Sequence, residues 1–323
     1  MKKILIVKTS SLGDIVHNFP AVTDVRKNFP NVTLDWLVEE KFASLAKLHE
    51  GVDSVLTVSL RRWRSEMKPV KFFKEVRDFF RKLRVNEYSA IVDTQGLFKS
   101  AILAKIARGK SFGLDLKSSR EPVSYFYDYT FSVPKNAHAI ERNRQLVSQS
   151  LGYHIDTEAR FGLKITSDRY PRSLKRIPYA ILIPFTSNDK KRWKFENWIS
   201  VGNFLNKMNL SVLFIVGNTR NHREAQKICR RIKDSTTYPI SKINEITDVI
   251  NNCVTLIGVD TGLTHLALAI GKPTIGIFSA TDPAKTGLYT NKNAFNVGKP
   301  GSYPTCSQVI DHLNEILPQQ HDL

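Results

Sequence analysis

Cysteine is scarce: Cys229, Cys253 and Cys306 are the three in 323 residues, and none forms a Cys-x-x-Cys pair. That excludes a disulfide framework and a cysteine-based zinc site, so reduced thiols without a catalytic role are expected. Long apolar runs are lacking too. No stretch approaches the roughly 20 apolar residues of a membrane-spanning helix. Apolar residues 4–7 are followed at once by Lys8, too short a run for a secretory leader, so a cytosolic chain is expected. Asp-x-Asp is absent throughout, so no metal-chelating nucleotide-sugar motif is visible. Carboxylates are also in short supply, with 30 Asp+Glu against 48 Lys+Arg and a net charge of +18. Such a surplus steers anions to the surface and favours nucleic acid, anionic lipid or phosphorylated glycan as partner, unless it only keeps a basic surface solvated.

What is present is an ordinary globular composition, 41% hydrophobic and 24% charged, in a chain long enough for about two domains. Apolar runs at 3–7, 32–38, 52–58 and 89–93 read as buried parallel strands. Between them, residues 14–28, 40–48, 69–84 and 97–107 carry apolar residues at helical spacing. After a polar stretch at 153–178, interrupted by Pro171 and Pro178, the pattern resumes. Strands are expected at 179–184, 212–216, 255–259 and 274–278, and helices from Glu196, about Asn221 and Leu263. This alternation predicts α/β architecture: two Rossmann-like, doubly wound parallel-sheet domains facing a central cleft. The expected boundaries are 1–155 for the first domain, 156–177 for a linker and 178–305 for the second, with a final helix in 306–323 packing back on the first.

Three strand exits carry groups suited to phosphate and sugar chemistry. Residues 8–17, Lys8-Thr9-Ser10-Ser11-Leu12-Gly13-Asp14-Ile15-Val16-His17, hold one glycine where a dinucleotide fingerprint needs three, which removes the nicotinamide dehydrogenase reading. Asp14 there is a helix cap or, beside a cleft, a general base for a substrate hydroxyl. Residues 258–267 run from a strand straight into a helix. The amides of Thr261 and Gly262, with Thr264 and His265, form an anion site of the kind that holds pyrophosphate, while Asp260 caps the helix or binds a sugar hydroxyl. After the strand at 179–184, Thr186 and Ser187 precede Lys190, Lys191 and Arg192, which suit phosphate oxygens. Gly109-Lys110-Ser111 imitates the end of a P-loop, but Ala104 stands where its first glycine belongs.

The surplus charge gathers at residues 61–84, ten cations against Glu66, Glu75 and Asp78, interleaved with Trp63, Phe72, Phe73, Phe79 and Phe80. A basic amphipathic segment favours an anionic membrane surface. The phenylalanines are expected in the core. No nucleic-acid-binding module is recognisable, so no nucleic acid is expected.

Lys8 to His17, Arg61-Arg62-Trp63-Arg64, Asp93-Thr94-Gln95-Gly96-Leu97-Phe98-Lys99-Ser100, Arg120-Glu121-Pro122, His138-Ala139-Ile140-Glu141-Arg142 and Asp260 to His265 together resemble glycosyltransferase family 9. The second to fourth blocks favour its type I lipopolysaccharide heptosyltransferases over type II. The resemblance spans nearly the whole chain in order. It implies a GT-B fold and an inverting, metal-independent transfer of L-glycero-D-manno-heptose from ADP-heptose to a Kdo hydroxyl of Kdo-lipid A, with no cofactor. On that pattern Asp14 is the catalytic base. Thr186, Ser187, Lys191, Asp260, Thr261, Gly262 and His265 bind the donor. Ser187 replaces a family threonine. Where the family places a carboxylate for the adenosine ribose, this chain has residues 218–224, so Glu224 or an asparagine fills that role.

Acceptor-binding candidates are Ser11, Gly13, His17, Arg61, Arg64, Gln95, Arg120, His138 and Arg142, the arginines because their fork geometry suits carboxylate and phosphate. Expected partners are ADP-heptose, Kdo-lipid A and the anionic cytoplasmic face of the inner membrane. A monomer is expected, and the sequence does not fix the oligomeric state. The rival expectations are another family 9 transferase, such as type II, and a non-catalytic basic protein that binds anionic glycolipid or nucleic acid through residues 61–84.

Overall fold

The structure, a computed structural model, describes residues 2–65, 69–165, 174, 177–240, 242–289 and 293–317. The chain divides into two compact units, Met1–Lys164 and Ile165–Leu323.

Unit 1 contains, in order, β1 (Lys3–Val7), α1 (Leu12–Val16), α2 (Phe19–Asn28), β2 (Thr33–Glu39), α3 (Ala43–Ala46), β3 (Ser54–Val58), α4 (Leu60–Ser65), α5 (Pro69–Leu83), β4 (Glu87–Asp93), α6 (Phe98–Ile106), β5 (Arg108–Leu114), β6 (Tyr129–Phe131) and α7 (Ala139–Leu151). Its sheet has the order β3-β2-β1-β4-β5-β6 with parallel neighbours. Ile4, Leu5, Ile6 and Val7 are all fully buried, as a central parallel strand covered on both faces requires. Strand order reverses between β1 and β4, so the loops leaving these two strands flank the switch point where open α/β sheets place ligands.

Unit 2 repeats the design with β7 (Tyr179–Ile183), α8 (Phe195–Lys207), β8 (Ser211–Val216), α9 (Thr219–Cys229), β9 (Ser235–Pro239), α10 (Ile243–Asn251), β10 (Thr255–Val259), α11 (Gly262–Ile270), β11 (Thr274–Ile277), α12 (Pro283–Thr286), β12 (Ala294–Val297) and α13 (Cys306–Ile316). The order β12-β11-β10-β7-β8-β9, again parallel, puts its switch point between β7 and β10.

Several expectations are corrected. The helix expected over 14–28 is two helices, because Pro20 lacks an amide donor and occupies the first turn of α2 instead of a helix interior. The final helix, expected to pack on the first domain, makes the contacts described for it within unit 2. Val309 and Leu313 of α13 lie in the same buried cluster as Trp198 and Leu205 of α8, within unit 2. The residues before Lys164 are not linker. Glu50 N–H donates to the carbonyl of Gly162, Lys164 N–H donates to that of Leu48, and the buried Arg144 donates to Thr157 O at 2.6 Å while forking onto Asp24. Residues 166–173, 175 and 176 of the expected linker, and 318–323 of the expected terminal helix, lie outside the described residues.

Strand β5 is a further difference, since polar residues and two glycines hide its pattern. Gly109-Lys110-Ser111-Phe112-Gly113 has the spacing of a hydrolase nucleophile elbow, yet it lies inside β5 rather than at a strand-to-helix turn. Ser111 is buried there and donates to Asp128 Oδ2 at 2.8 Å. The cysteines form no disulfide. All three are free, and burial pushes the Cys253 thiol up to about 12. Among the described residues no helix is long and apolar enough to cross a membrane.

Candidate functional site

In unit 1, the chain leaves β1 through Lys8–Ser11 and enters α1. Asp14, in the first turn of α1, accepts the Ser11 N–H at 2.6 Å and the Ser11 hydroxyl at 3.1 Å. Both bonds fall on Oδ2 and leave Oδ1 out of this cap. Capping and base chemistry are thus compatible in one carboxylate.

The β4 loop is tied to this one. Ser10 N–H donates to Gln95 Oε1 at 3.1 Å, and Lys99 Nζ reaches Ser10 Oγ at 3.0 Å. Lys8 is buried, and its ammonium donates to Thr94 O at 2.7 Å. Burial holds that ammonium below the usual lysine range, Asp14 and Asp93 pull the other way, and Arg120 and Arg142 lower it further. Lys8 is thus the group on which the charges of Asp14, Asp93, Arg120 and Arg142 act together. Asp93 is fully buried, which raises its carboxyl. Tyr127 donates to it at 2.7 Å, and the Gln95 and Gly96 amides close a turn on its other oxygen.

On α7, His138 caps the helix by accepting the Ile140 N–H through Nδ1, and its ring meets that of buried His17 edge-on at 5.7 Å. Arg142 is anchored by the carbonyls of Pro134 and Ser118, both at 2.8 Å, and burial, then Arg120, lowers its guanidinium pKa. Gly13 lies in α1, where its carbonyl accepts the His17 N–H. Arg61 joins more loosely: its backbone N–H donates to Glu39 Oε1 at 3.2 Å, and Arg64 stands exposed on α4.

In unit 2, Asp260 at the end of β10 is buried beneath three donors: Lys191 Nζ at 2.6 Å, His265 Nε2 at 3.2 Å and the Thr281 hydroxyl. Burial alone would raise its pKa, but these bonds outweigh it and hold the carboxyl well below the usual range. Thr261 precedes α11, whose leading amides start at Gly262. Thr264 turns back to donate to Val259 O at 2.7 Å. That turn requires Gly258, because a Cβ there would stand 2.3 Å from Thr264 Oγ1.

Lys191 closes the 3-10 turn Asp189–Lys191 that follows Thr186 and Ser187, and the Ser279 hydroxyl fixes this turn through Lys190 O at 3.1 Å. Glu224 on α9 is already engaged, by Arg192 at 2.9 Å and Arg220 at 3.0 Å. Apart from Glu224, the expected donor residues lie on the loops after β7 and β10 and in the first turn of α11. Thr281, which precedes α12, joins this cluster through its bond to Asp260 although the sequence expectations do not include it. Lys8, Lys99 and Asp93 lay inside recognisable blocks without carrying a role.

Paired doubly wound units, with a cation and a helix start at one switch point and a carboxylate at the other, define a nucleotide-sugar transferase of the GT-B class. The chain matches glycosyltransferase family 9 (heptosyltransferase) over residues 76–311, and it belongs to that family. It is 34% identical over 291 residues to lipopolysaccharide heptosyltransferase 1 of Salmonella typhimurium, covering 89% of this chain and 91% of that one. To the Pseudomonas aeruginosa protein of the same name it is 33% identical over 325 residues, covering 99% and 89%. Among solved structures, E. coli heptosyltransferase WaaC with ADP superposes with a TM-score of 0.89 at 31% identity, over 98% of this chain and 100% of that one. E. coli heptosyltransferase II, at 16% identity and a TM-score of 0.78, over 98% of each chain, shows the fold.

Proposed function

We propose that this glycosyltransferase is a type I lipopolysaccharide heptosyltransferase. It transfers L-glycero-D-manno-heptose from ADP-heptose to a Kdo residue of Kdo-lipid A, with inversion and without a metal, at the cytoplasmic face of the inner membrane. The observation that carries this reading is the Asp260 network. A lysine on a buried carboxylate at a helix start is suited to a diphosphate, which would draw Lys191 onto its oxygens. The identity to the Salmonella and Pseudomonas proteins supports heptose transfer, and the solved WaaC with ADP-2-deoxy-2-fluoro heptose, 30% identical, supports the donor.

In the proposed reaction Asp14 Oδ1 takes the proton of an acceptor hydroxyl, and that oxygen attacks the anomeric carbon. The bond from that carbon to the phosphate oxygen breaks, and ADP leaves with the electron pair. Lys191 and the amides at Thr261 and Gly262 stabilise the growing phosphate charge in place of a metal. Thr186, Ser187 and His265 complete the donor site, and Glu224 binds the ribose. Arg120, Arg142 and Lys8 supply positive charge for an anionic acceptor, with Ser11, Gly13, His17, Gln95 and His138 around it and Arg61 and Arg64 reaching from α4. The test is ADP release from ADP-heptose with lipid A carrying one Kdo, two Kdo or phosphorylated Kdo. Release with at least one of these is expected. Release only with an acceptor that already carries heptose would assign a type II activity instead, and release with none would overturn the proposal.

A further inference from the structure

Helices α5 and α6 and the 3-10 turn Ser124–Phe126 form one layer. Phe79 and Leu83 of α5, Ala101 and Ala104 of α6, and Val123 and Tyr127 beside the turn share a buried cluster with Leu5, Val7 and Leu37 of the sheet. The outer side of this layer is not polar. Phe73 is 68% exposed, Phe98 44%, Ile102 43% and Tyr125 83%. The expectation that Phe73 belongs to the core is thereby corrected, whereas Phe79 is buried and Phe72 and Phe80 are half-buried.

Single exposed apolar residues are ordinary, but here they gather on one layer that is also basic. Residues 69–84 carry six cations and two carboxylates, and α6 carries Lys99 and Lys105 with no carboxylate. Part of this charge is already engaged: Arg77 and Arg81 flank Asp78, Lys105 pairs with Asp128 and Lys99 reaches Ser10, as Arg62 of α4 pairs with Glu40 and Glu75. Glu66 and Lys68 lie outside the described residues. Aromatic rings amid long cationic side chains match a bilayer interface, apolar below and anionic at the headgroups.

The location adds a reason. Phe98 opens α6 three residues after Gln95, and its N–H donates to Glu121 Oε2 at 2.6 Å, next to Arg120 and just ahead of Tyr125. Exposed apolar side chains thus flank two acceptor candidates. We propose that the outer face of α6 and the turn 124–126, continued by Phe73 of α5, is a lipid-contact surface. Phe98, Ile102 and Tyr125 enter an anionic bilayer there, and the cations of α5 meet its headgroups. The placement beside the acceptor rests on the transferase reading above, whereas lipid binding itself does not.

The experiment is co-flotation with vesicles of equal parts phosphatidylglycerol and phosphatidylcholine, against pure phosphatidylcholine, across a salt series. Wild type is expected to bind the anionic vesicles and to keep a salt-resistant fraction at about 0.5 M salt, where charge attraction is largely screened. Phe98→Ser with Tyr125→Ser should lower that fraction at least about tenfold, the effect of withdrawing two aromatic anchors. Tyr125→Ser alone replaces it if the double variant melts early. Equal partitioning of variant and wild type, or no wild-type binding, overturns the proposal. So does self-association lost in the variant without vesicle binding, which would assign the face to a second copy. ADP release with a lipid-free Kdo acceptor keeps the two readings apart: its absence beside intact vesicle binding would sink the transferase reading alone.

Discussion

Lys191 Nζ lies 2.6 Å from Asp260 Oδ2, joining the loop after β7 to the loop after β10. Removing the lysine withdraws a cation from the donor site and leaves the buried Asp260 charge less compensated. Lys191→Met is therefore expected to raise the donor KM by more than about tenfold, the scale of one charge-assisted hydrogen bond. Lys191→Met with Asp260→Asn should recover part of that loss. Steady-state kinetics with varied ADP-heptose checks both, and an unchanged KM in the single variant would remove Lys191 from the donor site.

Asp14 caps α1 and is proposed as the base, so the informative substitution keeps the cap. Asn at this position can still accept from Ser11 but cannot take a proton. Asp14→Asn is expected to lower kcat by about 10²–10⁴-fold. ADP affinity by calorimetry should stay within about twofold, because the nucleotide candidates belong to the other unit. Retained turnover would return Asp14 to a purely structural role.

Positive charge at the leaving phosphate is assigned to Lys191 and the start of α11. Turnover should accordingly persist after EDTA treatment and dialysis. Activity lost to EDTA and restored by magnesium would contradict this assignment.

His49 gives unit 1 a pH dependence of its own. Gly51 N–H donates to Nδ1 at 2.9 Å while Nε2 faces Phe19 O at 3.1 Å, so the ring is held neutral with its proton on Nε2. Burial pushes its pKa down to about 4 from the usual 6.5. Between these values the unfolded chain binds the extra proton and the folded one does not, so stability rises with pH across the window and is lost on acidification. The contribution is about 3 kcal/mol by the low end. Urea unfolding from pH 7 down to pH 4.5 should show this slope in wild type and a flatter one in His49→Gln, whatever that variant costs at pH 7. Parallel slopes would contradict the assignment.

Much of the fold was legible in residue spacing. Central strands such as β1 and β10 are buried on both faces, so their apolar runs are continuous and unmistakable. Strands β5 and β9 were not legible: β5 buries few side chains and β9 is mostly half-exposed, so their residues are under weaker constraint. The family blocks located the candidate residues, because phosphate and sugar chemistry needs particular side chains at strand exits.

By itself the sequence determined the strand and helix alternation, the strand-exit loops and the identity of Asp14, Lys191 and Asp260, since these follow from local spacing and side-chain chemistry. Only the tertiary structure decided which groups meet. That Asp260 is held by Lys191, His265 and Thr281, that α13 belongs to unit 2, and that Phe73 and Tyr125 face outward all depend on strand order and on the side each crossover helix takes. Periodicity along the chain is blind to both, because it records which face of an element is apolar but not which neighbour covers it.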